Sequence, residues 1–104
     1  GYKYNKDKDS YTKIDNDGGK IEYMPHISSL KYHKIYNGLD CSMIYNIEEN
    51  KISLNIYEND KVQKENLKYL VKNKKYICKI GECSKYHGEI GHLLNIYNEI
   101  KSTL

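Results

Sequence analysis

The 104-residue chain contains no arginine, alanine, phenylalanine or tryptophan, and it has a single proline. Without arginine there is no guanidinium fork for two-point contacts, so phosphate can be bound only by lysines, backbone amides or hydroxyls. Base-specific reading of a nucleic-acid duplex is therefore disfavoured. Because 12 tyrosines supply all the aromatic side chains, the core must combine aliphatic residues with phenols whose hydroxyls need hydrogen-bond partners.

Cysteines and long apolar runs are also scarce. Three cysteines leave at least one unpaired in a monomer, which argues against a disulfide framework and for a reducing, cytoplasmic site of action. No apolar run approaches the roughly 20 residues that cross a bilayer, so we predict no membrane partner. Hydrophobic residues make up 38% of the chain, but they are regularly patterned, which predicts a folded protein.

The length fits one domain, and composition divides it at residue 20. Residues 1–20 form a polar lead and turn, and residues 21–104 form a single α+β domain. Asp15–Gly19 carries a strong turn signal between two short apolar segments, which predicts a hairpin. The turn lacks the flanking carboxylates of a calcium-binding EF-hand loop, because Lys13 and Met24 would take the first and last ligand positions.

Hydrophobic periodicity predicts the other elements. Apolar residues alternate along 39–47 and again along 52–56, which predicts two strands joined by a hairpin. From residue 90 to residue 104 they recur at spacings of three and four, which predicts a C-terminal helix. The predicted fold class is α+β, a small antiparallel sheet packed against one or two helices.

A run of lysines at spacings of 3, 4, 4 and 3 residues comprises Lys61, Lys64, Lys68, Lys72 and Lys75. Residues three and four apart share a helix face, so we predict a helix with these ammonium groups along one side. Residues 61–85 hold eight lysines and two glutamates, a local charge of +6 against +3 for the whole chain. This predicts RNA or another polyanion as partner, with Tyr76 stacking on an unpaired base. The alternative is a solvated face without a partner.

A polar segment between two histidines has the composition of a ribonuclease site. A metal-independent ribonuclease needs a base, an acid and a cation at the phosphate, because the RNA 2′-hydroxyl is the nucleophile and imidazole exchanges protons near neutral pH. The alternative is a surface loop in which a serine caps a short helix. The predicted catalytic residues are His26 and His33 for proton transfer, Lys31 or Lys34 at the phosphorane, and Ser28 or Ser29 at a phosphate oxygen.

A second cluster has C-x4-C-x3-H-x4-H spacing and comprises Cys78, Cys83, His87 and His92. Two thiolates and two imidazoles are the ligands of many structural zinc sites. On a continuous helix the two histidines would diverge by about 140°, so zinc binding needs a helix break at Gly88 or Gly91. The alternative is a buried cysteine beside isoleucines, with the histidines on a turn. We predict no cofactor, with zinc as the alternative.

The segment Tyr23–Ser29 resembles the His-Met-Pro-x-x-Ser motif of nuclease domains at the C-termini of bacterial polymorphic toxins, with Tyr23 at the position of the family's histidine. The order of the following segments is also similar, with a glycine-led apolar segment at 38–43 and a closing amphipathic helix at 90–100. The resemblance implies nuclease activity, a cognate inhibitor protein as partner, and delivery as part of a longer secreted protein.

The sequence thus favours a small RNA-engaging domain, a metal-independent ribonuclease toxin tip that uses histidine acid/base chemistry. A second hypothesis is a non-enzymatic interaction module of the inhibitor, immunity or adaptor type, whose lysines dock an acidic protein. A third is a zinc-stabilised binding knuckle.

Overall fold

The structure, a computed structural model, describes residues 1–36, 38–58, 62–72, 75–80 and 87–104. For Tyr36, 62–65, 75–80 and His87 it describes the backbone only. Within these ranges the chain forms an eight-stranded antiparallel sheet in which every strand pairs with the next one along the chain, followed by one helix, α1, at His87–Thr103. The strands are β1 (Lys3–Asn5), β2 (Ser10–Ile14), β3 (Lys20–Met24), β4 (Ser29–Tyr36), β5 (Leu39–Asn46), β6 (Lys51–Glu58), β7 (Val62–Lys72) and β8 (Lys75–Ile80).

Turns with polar residues or glycine join several of the described strands. The β2–β3 turn is closed by the Asp15 amide, which donates to the Gly19 carbonyl at 2.9 Å, and Gly18 adopts a φ of 82° that suits glycine. Gly38, with a φ of 74°, lies between β4 and β5, and Asn50, with a φ of 56°, precedes β6. These left-handed residues reverse the chain tightly enough for consecutive strands to pair.

One face of the sheet packs against α1 to form the core. In each central strand alternate residues are buried, as expected when one face of an antiparallel sheet meets a helix. Tyrosines share this core with aliphatic residues, in agreement with the absence of phenylalanine. The buried hydrophobic residues are Ile21, Leu30, Tyr32, Met43, Tyr45, Ile52, Leu54, Ile56, Leu67 and Tyr69 from the sheet, and Ile90, Leu93, Ile96 and Ile100 from α1.

The coarse predictions are confirmed. The sheet is antiparallel, β5 and β6 form the predicted hairpin, and a helix with buried residues at spacings of three and four closes the chain. Residues 1–20, which composition sets apart, supply β1 and β2 of the same sheet. None of the described helices has the length and apolar character needed to cross a membrane.

The predicted lysine helix is wrong, because Val62–Lys72 is strand β7 and pairs with β6. Leu67 and Tyr69 are buried while Lys68 and Lys72 are exposed, which is the period-two pattern of a strand. Two of the four lysine spacings are four residues, and a spacing of four keeps side chains on one face of a strand as well as of a helix, so these two spacings could not distinguish the structures. Of the other predicted RNA contacts, Lys61 lies outside the described residues, and the side chains of Lys64, Lys75 and Tyr76 are also outside the description.

Candidate functional site

The face of the sheet opposite α1, hereafter the open face, has a basic and polar surface. Its side chains are those that alternate with the buried core residues, and among the described residues of β3–β7 they include five lysines and two carboxylates. Glu22 lies opposite Lys31 in register, so a carboxylate faces one of these lysines across the β3–β4 pair. The charged side chains of the open face are Lys20, Lys31, Lys51, Lys68, Lys72, Glu22 and Asp40.

A histidine–aspartate pair lies on the open face. His33 on β4 contacts Asp40 on β5 through its Nε2 atom, across the tight β4–β5 turn. The His33 side chain is 45% exposed, so the rest of its imidazole ring is accessible. Lys20 lies directly opposite His33 on β3, and Ser42 lies opposite it on β5. An imidazole, a lysine and a hydroxyl therefore occupy neighbouring positions of one cross-strand row.

The two predicted catalytic histidines lie at different sites. His33 and Lys31 share the open face, since they are two residues apart on β4. His26 lies in the 3₁₀ turn Pro25–Ile27 before β4, where its Nδ1 atom is 3.4 Å from an Asp9 carboxylate oxygen. The four steps along β4 from Ser29 to His33 alone span about 13 Å, and His26 lies before them, so the two imidazoles are too far apart to serve one phosphate.

The predicted serine also belongs to the turn. Ser28 has a left-handed φ of 50°, and its amide donates to the Pro25 carbonyl at 3.1 Å, which closes the 3₁₀ turn. Ser29, the other candidate, is buried at the start of β4. Of the predicted catalytic residues, Lys31 and His33 share a surface, which is the open face that also carries the predicted RNA contacts Lys68 and Lys72.

A second polar site lies where the β2–β3 turn meets α1. The Asp15 carboxylate accepts a hydrogen bond from the Tyr32 hydroxyl at 2.7 Å and faces the His92 Nε2 atom at 3.1 Å. Its other oxygen accepts the amides of Gly19 at 2.8 Å and Asp17 at 3.0 Å. We call Asp15, Asp17, Tyr32 and His92 the Asp15 cluster.

The surroundings shift the pKa values of Asp15 and Tyr32 in opposite directions. Burial alone would raise the pKa of Asp15, but hydrogen bonds from Tyr32, His92 and two backbone amides outweigh it and lower the pKa below its usual range. Burial, and then the hydrogen bond to Asp15, raise the pKa of the Tyr32 hydroxyl well above its usual range. The aspartate is therefore ionised and the phenol is neutral at pH 7.

A cavity of about 210 Å³ opens beside the cluster, between the first turn of α1 and the sheet. Met43 and Leu54 form its apolar lining, and Lys34, Glu89 and Cys41 lie among its other lining residues. Burial is the main cause that raises the pKa of the Cys41 thiol, and the negative charge of Glu89 raises it further. Both disfavour the reactive thiolate.

The predicted cysteine–histidine zinc set is not assembled in the described residues. Cys83 lies outside them, and so do the side chains of Cys78 and His87. Because α1 is continuous from His87, no helix break turns the two histidines towards each other. His92 instead faces Asp15, a partner 77 residues away in sequence.

Sequence reasoning missed two partners for different reasons. Asp40 could have been found, because Asn37-Gly38 is a hairpin signal that pairs the residues on either side of it. The pairing of Asp15 with His92 could not have been found, because nothing local indicates which turn a distant helix will contact.

Compared with protein-family models, with curated proteins and with solved structures, the chain has no match in any of the three. Its function must therefore be inferred from the chemistry of these sites.

Proposed function

We propose that the chain binds single-stranded RNA on the open face and cleaves it without a metal ion at His33, as the nuclease tip of a bacterial toxin. One observation carries this proposal: the His33–Asp40 pair lies on a sheet face where five lysines outnumber two carboxylates among the described side chains. Such a face attracts the phosphates of a nucleic acid. The resemblance at Tyr23–Ser29 supports the toxin setting.

The pairing of His33 with Asp40 supports a role in proton transfer. With Asp40 at Nε2, the imidazole keeps Nδ1 as the atom that accepts a proton from the RNA 2′-hydroxyl. The 2′-oxygen then attacks the adjacent phosphorus and the bond to the 5′-oxygen breaks. The products are a 2′,3′-cyclic phosphate and a 5′-hydroxyl, the latter protonated by water.

Lysines beside His33 stabilise the extra negative charge of the phosphorane. Lys20 lies opposite His33 in register, and Lys31 precedes it by two residues on the same face. Fixed cations at the position where charge develops lower the barrier more than they stabilise the bound substrate. Because DNA lacks the 2′-hydroxyl, this chemistry is restricted to RNA.

The basic character of the open face also suits the interaction-module hypothesis. An acidic protein, including a cognate inhibitor, would meet the same lysines, so charge alone does not separate the two functions. The His33–Asp40 pair favours the enzyme, because a docking surface does not require a carboxylate-oriented imidazole.

The decisive experiment compares cleavage of an RNA and a DNA of the same sequence, in EDTA. We expect RNA cleavage with 2′,3′-cyclic phosphate ends and intact DNA. The His33→Ala variant should lose about 100- to 10,000-fold in rate, the usual contribution of a general base. The His26→Ala variant is the matched control, since it removes the imidazole of an exposed histidine–aspartate pair outside the open face.

One result would contradict the enzyme, and another would contradict the His33 site. RNA binding without cleavage, together with tight binding to an acidic protein, would establish the interaction module. Cleavage that survives His33→Ala would move the active site away from the open face.

A further inference from the structure

We propose that Asp15, Asp17 and His92 bind a divalent transition-metal ion, with zinc the best match. The ion joins the β2–β3 turn to α1. This site differs from the cysteine–histidine set suggested by sequence spacing and shares only His92 with it. It also lies apart from the open face, so it does not depend on the proposed nuclease activity.

The geometry of the three side chains is that of a nearly assembled coordination shell. One ligand atom from each lies within 4.8 Å of the others. The Asp15 oxygen and the His92 Nε2 atom are already 3.1 Å apart. Two ligands at about 2.0–2.1 Å from a tetrahedral zinc ion are separated by roughly 3.3 Å, so this pair needs little movement.

A supporting shell holds the Asp15 carboxylate in place. The Tyr32 hydroxyl and the amides of Gly19 and Asp17 all donate to it, and its side chain is only 12% exposed. A Cβ atom on residue 19 would lie 2.1 Å from the Tyr32 hydroxyl oxygen, so glycine makes room for the phenol. Hydrogen bonds from outer residues to ligating carboxylates orient metal sites in this way.

The surroundings supply charge, further donors and an access path. A cavity of about 460 Å³ is lined by the three proposed ligands and also by Asn95 and Glu99 from α1. With Glu99 the cavity has three carboxylates, and Lys13 is the lysine among its lining residues. This excess of negative charge favours a cation, and an imidazole among the ligands favours zinc over magnesium or calcium.

The two other histidine–aspartate pairs provide a comparison within the same molecule. His26 pairs with Asp9 and His33 pairs with Asp40. Among the described residues, only the His92 pair has a second carboxylate within coordination range. His26→Gln is therefore a matched control, because it changes a histidine–aspartate pair that lacks the third ligand.

Calorimetric titration of Zn²⁺ into the full chain, after EDTA treatment and desalting, tests the proposal. We expect one ion per chain and a higher thermal midpoint in its presence, because the ion binds the folded state. Asp17→Asn and His92→Gln should each weaken affinity by about tenfold or more, and Tyr32→Phe by about tenfold through its supporting role. His26→Gln and Cys78→Ser should change affinity by less than about twofold.

Co²⁺ provides a spectroscopic check on the ligands. We expect no thiolate-to-cobalt charge-transfer band, because nitrogen and oxygen atoms hold the ion. Three results would overturn the site: no Zn²⁺ binding at millimolar concentration, affinity unchanged in Asp17→Asn, or a thiolate band that disappears with Cys78→Ser. Asp17 is exposed in the turn, so its variant keeps the test informative even where His92→Gln fails to fold.

Discussion

At the residue scale, the core contains tyrosine and no phenylalanine, so each buried tyrosine hydroxyl needs a hydrogen-bond partner. Tyr32 is 4% exposed and donates to Asp15, and the same carboxylate faces His92. The contact requires residue 19 to be glycine, since any side chain there would overlap the phenol. A composition bias visible in the sequence therefore determines the kind of bond that this core needs.

We expect Gly19→Ala to lower the free energy of unfolding by about 1–3 kcal/mol, the usual cost of forcing extra volume into a packed site. Gly91→Ala is the matched control. Gly91 lies within α1 and a Cβ atom there would have no neighbour within 4 Å, so this substitution should stabilise the protein by about 0.5–1 kcal/mol. Urea denaturation measures both, and equal effects of the two substitutions would contradict the packing of Tyr32 over Gly19.

At the element scale, β7 shows how one charge pattern fits two structures. Lysines four residues apart lie on the same side of either a helix or a strand, whereas the apolar residues decide between them. Leu67, Tyr69 and Val71 recur every two residues and face the core that α1 covers. Tyr69, which accompanies the lysines in sequence, is 1% exposed and therefore cannot stack on a base.

We expect Leu67→Ala to cost about 2–5 kcal/mol of unfolding free energy, because it leaves a cavity in the core. Lys68→Ala, the neighbouring substitution, should change it by less than about 0.5 kcal/mol, because that side chain is exposed. Urea denaturation of the two variants compares adjacent residues on opposite faces of one strand. A large loss for Lys68→Ala would contradict the assignment of faces.

At the scale of the whole molecule, α1 covers one face of the sheet and leaves the other, basic face open. The described lysine side chains of the open face come from four strands, β3, β4, β6 and β7, rather than from one segment. The positive surface therefore arises from strand order and register. The predicted helix that first suggested a polyanion partner does not form. We still propose such a partner, now because of the lysines on the open face.

We expect the RNA affinity to fall steeply with salt, since each lysine–phosphate contact releases counterions. Lys31→Ala and Lys68→Ala should each reduce the slope of log affinity against log salt by about 0.7, the value for one contact with a single strand. Lys101→Ala is the control, because its ammonium lies over the Tyr97 ring on α1. Filter binding measures the slopes, and equal slopes for all three variants would argue against RNA on the open face.

Much of the fold could be predicted from the sequence, but fewer of the contacts in the candidate sites could be. Alternation along residues 39–47 and 52–56 and the turn at Asp15–Gly19 are local signals, so they predicted strands correctly. Lys31 and His33 share a face for the same local reason. The partners of the histidines depend on which elements meet, and spacing along the chain does not encode that.

The sequence by itself determined the antiparallel sheet, the closing helix and a core of isoleucine, leucine and tyrosine, because turn residues and hydrophobic periods act over a few neighbouring positions. Only the tertiary structure decided that the lysines lie on a sheet face, that His33 pairs with Asp40, and that His92 meets Asp15. These contacts join residues on different elements, and the pairing of strands and the packing of α1 select them from many alternatives with similar local patterns.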